Sequence, residues 1–464
     1  MDVLPRNTYR WAVVPRCLFL AYHFPPLGLS GVQRTVKFVR YLPEFGWEAK
    51  VLTGPGDASV PGLPFDSTLA TEIPGDLEVV RCPGPEPPPS MGNRARLERW
   101  LMLDRPWRRW WVESAYEAAV EHAADADVIV ASMSPFESAE AAAKLSAATG
   151  TPWIADLRDP WALDEMLVYA TRLHRRREIA RMRKGLSSAA AIVMNTPEAA
   201  RAVRDAFPEF ADRPVFSITN GYDATDFVDA RPELAPDLFR IAHTGSFHTA
   251  AGLRRRTMLA RRLLGGSVGD VDFLTRSHLY LVEAVRLLLE ENPSLRGRIR
   301  LALAGVMTAK DRESCTIPGI EELGYLDHAE SVATLRSADL LFLPMHKLSP
   351  GRRARIVPGK TYEYLASRRP ILAAVPEGDA RDLLAETPTG LVCDPDDVTA
   401  MAAIIKEQIR RKEAGDPAPE PPEELLARFE RRTLTERLAA VLDEVTPQRT
   451  RRNQKLPGLA RSTS

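Results

Sequence analysis

Lys360 and Glu363 stand three positions apart in KTYEYLAS, directly behind Pro358 and Gly359, and residues of these types at this spacing can hold two parts of a nucleotide. Proline is tolerated at the opening of a helix because the N–H it lacks would have no partner there. A helix that begins here turns its first amides and its positive dipole end toward an anion such as a diphosphate, and Lys360 adds a full charge at that end. Glu363 falls on the same helical face. Its carboxylate can accept two hydroxyl hydrogen bonds, which is what a ribose offers. The alternative is an exposed helix pair worth ~0.2 to 0.5 kcal/mol.

Other residues suited to chemistry sit in turns. Arg158 and Asp159 lie in DLRDPW, where Asp159 can equally cap a helix ahead of Pro160. Asn220 and Gly221 form a turn dipeptide, and Gly245 and Gly305 each end an apolar run. His23 follows the first apolar run and either faces a cleft or is solvated in its turn. The triplets Asp125-Ala-Asp127 and Asp394-Pro-Asp396 abut strands as turns and are assigned no metal. Cys17, Cys82, Cys315 and Cys393 are scattered singly, without the spacing of a zinc site or a disulfide framework.

The elements that must position these residues follow from periodicity. CLFLAY (17–22) reads as a buried strand. GVQRTVKFVRYLPEFG then carries Val32, Val36, Val39 and Leu42 at helical spacing and ends on Gly46. AKVLTG (49–54) completes a parallel strand–helix–strand unit. LEVVRC, VIVAS, PWIAD, AAIVM and VFSI continue the pattern to Ile218. A second series runs through RIAHTG (240–245), IRLALAG, EELGYL, DLLFLP, PILAAV (370–375) and GLVCD. The reading is α/β, two Rossmann-like doubly wound domains facing across a cleft. The first covers 17–218 and the second 219–445, with TNGYDATDF as hinge, a lead-in at 1–16 and a disordered basic tail at 446–464. Ligands in such sheets bind at the carboxyl ends of the strands.

Composition agrees with two domains. The chain has 464 residues, more than one core of ordinary size accommodates. Basic and acidic residues balance at 62 each, against a dedicated nucleic-acid binder. No signal-peptide pattern and no run of ~20 apolar residues is present, so the cytoplasm is the expected compartment. GPEPPPSMGNRAR (84–96) reads as a loop, and residues 248–272 read as an insertion between a strand and its helix. Trp100, Trp107, Trp110 and Trp111 lie among arginines, which suits either a membrane interface or a helix packed into the first domain. RLHRRREIARMRKG (172–185) reads as a solvated basic face, with membrane contact the lesser alternative.

FPPLGLSGVQR, DLRDPW, TNGYD, HTGSF and PGKTYEYLASRRPIL occur in an order and spacing that resembles the family 4 glycosyltransferases of GT-B fold, over about residues 17–445. The resemblance implies transfer of a sugar from a nucleotide-diphosphate donor to a glycan or lipid-linked acceptor in cell-envelope or extracellular polysaccharide synthesis. It further implies a retaining reaction without an obligatory metal or cofactor, at the inner face of the membrane. It places Gly31 and Arg34 near the donor phosphate and Gly245 and Gly359 in donor-binding turns. Arg276 falls on the diphosphate, with Arg254, Arg255 and Arg256 as rivals. Lys360 meets the diphosphate, Glu363 the ribose, and Arg158 and Asp159 take the catalytic loop. Asn220 and Gly221 line the cleft at the hinge. Two departures stand out: Arg355 replaces the acid expected eight positions before Glu363, and Arg158 replaces the usual histidine. A nucleotide-sugar 2-epimerase of the same fold, which needs no acceptor, and a non-catalytic sugar-nucleotide-binding subunit are the alternatives.

Overall fold

Strand burial alternates by face in the first half, where Leu18 and Leu20 point into one apolar cluster and Cys17 and Phe19 into another. That two-sided burial requires helices on both faces of the sheet. The computed structural model describes residues 14–28, 31–56, 68–84, 86–87, 92–101, 106–228, 236–258, 263–267 and 270–446. The expected lead-in lies almost entirely, and the expected basic tail beyond residue 446 wholly, outside the described residues.

The first sheet comprises β1 (Arg16–Leu20), β2 (Glu48–Thr53), β3 (Glu78–Arg81), β4 (Val128–Ser132), β5 (Trp153–Leu157), β6 (Ala191–Met194) and β7 (Val215–Ser217). It is parallel, in the order β3-β2-β1-β4-β5-β6-β7. The second half contributes β8 (Phe239–Thr244), β9 (Val271–Asp272), β10 (Ile299–Ala304), β11 (Ile320–Gly324), β12 (Leu340–Pro344), β13 (Lys347–Leu348), β14 (Ile371–Ala374) and β15 (Gly390–Cys393). Six of these form a parallel sheet in the order β11-β10-β8-β12-β14-β15, while β9 and β13 pair antiparallel beside it. The order reverses beside β1 in one sheet and beside β8 in the other. Those are the switch points where doubly wound sheets bind ligands.

Gly46, left-handed at φ 79°, closes the helical stretch that begins at Val32. The stretch read as a loop at 84–96 instead turns into a helix, Gly92–Trp100, because GNRARLERW holds good helix formers once the prolines are passed. The tryptophans divide. Trp111 is buried, Trp107 and Trp110 are half-buried, and Tyr22 packs edge-on against Trp107 and Trp111. Among these four, Trp100 is the exposed one, at 60%.

The final helix, Arg431–Val445, crosses back to the first half. Leu434, Leu438 and Leu442 enter the cluster of Phe19, Val32, Val36 and Val51, and Trp47 Nε1 donates to Asp443 at 3.0 Å. Residues at the end of the 219–445 segment therefore complete the core of 17–218.

Candidate functional site

The carboxyl ends of β1, β5 and β6 face those of β8 and β10 across a cleft of about 530 Å³. Gly31, Arg158, Asp159, Asn220, Gly221, Gly245, Arg276, Gly359, Lys360 and Glu363 all line it. The hinge, both switch-point loops and the KTYEYL helix thus converge on one space.

Lys360 opens the helix Lys360–Ala366 and donates to the Thr244 carbonyl at the end of β8. Gly245 makes this approach possible: it has φ 115°, and a Cβ there would sit 2.5 Å from Lys360 Nζ. Burial, and then the charge of Arg276, lower the Lys360 pKa to about 7. Arg276 lies in the turn before the helix Leu279–Glu291, half-buried, with Nη1 2.9 Å from Met166 Sδ and a buried Nε without a hydrogen-bond partner among the described residues. Two basic side chains thus meet where β8 ends, and neither forms an ion pair with a carboxylate among the described residues. An anion is the partner such a pair lacks.

Glu363 marks the other end. Burial raises its pKa, and its Oε1 lies 3.9 Å from His328 Nδ1. His328 Nε2 is 2.9 Å from Asp226 Oδ2, and Gln33 from the first half lies 3.4 Å from Nδ1. Burial opposes the imidazolium, but Asp226 and Glu363 outweigh it and carry the His328 pKa up to about 9.

On the first-half wall, DLRDPW delivers Arg158 and Asp159 through a strained turn: Trp161 has φ 49°. Its ring is held flat against Phe136 at 4.7 Å and by a 2.8 Å bond from Nε1 to Glu178, which fixes a backbone conformation otherwise costing ~1 to 3 kcal/mol. Asp159 is exposed in the cleft and caps no helix through its side chain. The Arg158 guanidinium lies over Gly31, where a Cβ would fall 0.5 Å from Nη1, and its Nε has no partner among the described residues. The space that the glycine leaves open is taken by this arginine, not left to backbone amides alone.

Several expectations change here. Arg34 does not line the cleft. It is buried beneath it, bound to Asp156 through Nη2 at 2.7 Å and to the carbonyls of Thr219 and Ile218 at 2.7 and 3.0 Å, so its donors serve the fold. Arg254, Arg255 and Arg256 are not among the lining residues: Arg256 pairs with Asp272 and Arg255 lies over the Phe273 ring. Arg355 also turns away. Its Nη1 donates to the Leu163 carbonyl at 2.6 Å and its amide to Glu165 at 3.0 Å, joining the two halves. His23 is outside the lining, and burial with the Arg158 charge lowers its pKa to about 4. Asp394 and Asp396 pair with Arg381 and Lys347.

Residues missed from the sequence include His328, Asn195 and Arg431. Asn195 follows β6 directly, and His328 comes four residues after β11, so the strand-end rule could have found both. Arg431 could not be found that way. It starts the last helix, reaches the cleft only because that helix crosses over, and keeps Nη1 unpartnered among the described residues.

Residues 30–221 match the glycosyl transferase 4-like domain family, and residues 267–411 match the glycosyl transferases group 1 family. The chain belongs to the glycosyltransferases of the family 4 type, and its two facing sheets are the GT-B fold. Among solved structures it is similar to sucrose-phosphate synthase from Thermosynechococcus elongatus, at TM-score 0.62 and 12% identity, over 93% of this chain and 99% of that one. It is also similar to α,α-trehalose 6-phosphate synthase from Burkholderia multivorans, at TM-score 0.56 and 13% identity, over 93% and 97%. HepE from Anabaena, in complex with UDP-glucose, gives TM-score 0.54 and 15% identity over 92% and 99%. A search of curated protein sequences gives no match. Identities of this size speak to the fold.

Proposed function

We propose that this glycosyltransferase moves a sugar from a nucleotide-diphosphate donor to a glycan or lipid-linked acceptor in cell-envelope or extracellular polysaccharide synthesis, with retention of configuration and peripheral contact with the membrane. The observation that carries the donor reading is the meeting of Lys360, Arg276 and the start of the helix Lys360–Ala366 at the end of β8, with Glu363 one turn away. The diphosphate lies on the two cations and the helix end, and the ribose hydroxyls donate to Glu363. As the bond from the anomeric carbon to the diphosphate oxygen breaks, negative charge grows on the leaving group where the cations already stand. Electrostatic stabilisation of that kind needs no metal. The acceptor hydroxyl approaches from the first-half wall, beside Arg158 and Asp159. A UDP-sugar is the donor to try first, because the similar HepE structure holds UDP-glucose.

Thermal-shift and calorimetric titration with nucleoside diphosphates test this reading. The wild-type protein is expected to be stabilised by at least one of them, and Lys360→Ala and Glu363→Ala are each expected to weaken binding and to lower transfer ~100-fold or more. Full binding and turnover in both variants would remove the assignment.

A further inference from the structure

We infer that one surface, assembled from both halves, docks on an anionic lipid bilayer; the inference rests on the lipid-linked acceptor reading above. Three segments far apart in sequence meet there. His174 Nε2 lies 2.9 Å from the Trp100 carbonyl, which brings the end of the helix Gly92–Trp100 against the start of the helix Arg172–Leu186. The Arg172 amide donates to the Leu264 carbonyl at 2.9 Å, the Tyr169 amide to Gly266 at 2.8 Å, and Arg175 Nη1 to Ser267 at 2.8 Å, which brings the second half's insertion to the same place.

What this junction presents to solvent is apolar. Leu97 is 55% exposed, Trp100 60%, Leu101 45%, Leu173 63%, Leu263 80% and Leu264 57%. They make up more than half of the exposed large apolar residues of the described chain. Scattered single leucines on a surface need no explanation, whereas a contiguous group marks a contact.

Charge decides the partner. Arg172, Arg176 and Arg177 are exposed beside Leu173 and have no ion pair among the described residues. The acidic residue of their helix, Glu178, turns inward to Trp161 and Arg181, and Glu98 is half-buried and partnered. An exposed apolar cluster with an indole and an arginine rim that is unpaired among the described residues fits a bilayer carrying anionic headgroups. Val168 pairs with Ser267 two residues after Met166, which lines the cleft, so docking brings the cleft mouth toward the lipid.

Sedimentation with vesicles tests the surface in the absence of any donor or acceptor. The wild-type chain is expected to bind phosphatidylglycerol-containing vesicles, more weakly in high salt, and to bind phosphatidylcholine vesicles little. Leu173→Glu and Leu264→Glu are each expected to reduce partition about tenfold or more. Arg176→Gln and Arg177→Gln are each expected to reduce it about fivefold at low salt. Unchanged thermal unfolding of the variants shows that they fold. Absence of vesicle binding by the wild type overturns the inference, as do variants that partition like the wild type. A shift of oligomeric state in Leu173→Glu with vesicle binding intact also overturns it, since the surface would then meet a second copy of the chain. A protein that transfers sugar to an acceptor lipid in detergent yet ignores vesicles would lose this surface and keep its function.

Discussion

Lys360 is an ammonium held in a place that favours its neutral form until an anion arrives. With its pKa lowered to about 7, the free site loses that proton as pH rises through 7, and a bound diphosphate restores it. Donor affinity is therefore expected to fall by up to about tenfold per pH unit above 7. Binding near pH 7.5 is expected to take up protons, so the calorimetric enthalpy should differ between buffers of different ionisation enthalpy; equal enthalpies would count against it. Gly245 is the second residue to test. Alanine there meets both the left-handed backbone and the Lys360 ammonium. Gly245→Ala is expected to lose ~1 to 3 kcal/mol of stability in denaturant titration, together with donor affinity.

At the scale of the element, the helix from Val32 is fastened to the first sheet by the Arg34–Asp156 pair, 1% and 2% exposed. Both charges are removed from water, so each needs the other. Arg34→Met leaves a lone buried carboxylate and is expected to cost ~3 to 5 kcal/mol, while Arg34→Met with Asp156→Leu recovers much of that. Urea unfolding checks the difference, and donor affinity measured on the folded fraction is expected to hold. A selective loss of donor binding would return Arg34 to the site.

The whole molecule is closed by its last helix. Leu438 comes from the far end of the chain yet is fully buried in the first half's core. Leu438→Ala is expected to cost ~2 to 5 kcal/mol and to lower the unfolding temperature of the first half along with the second. If the two halves unfolded separately and only the second shifted, the crossing would carry no such weight. The same crossing puts Arg431 in the cleft and lays the Tyr222 and Phe429 backbones together at 3.1 Å against Gly221.

Sequence alone determined the strands of the two parallel sheets, their grouping into two series, and the turn residues gathered at the strand ends, but not the short antiparallel pair β9 and β13. These rest on local periodicity and turn chemistry, which a few neighbouring residues encode. KTYEYL was legible for the same reason, since a lysine and a carboxylate one turn apart on a helix share a face wherever the helix goes. Tertiary structure decided which side chain fills a space and which charges are already matched. Arg34 and Arg158 are both arginines in cleft-side segments, yet one is spent on Asp156 and backbone carbonyls while the other lies over Gly31 with Nε unpartnered. Arg355 turned to Leu163 and Glu165, and Arg431 arrived from the last helix. Burial and hydrogen-bond partners across hundreds of residues set these outcomes, and no local pattern carries that information.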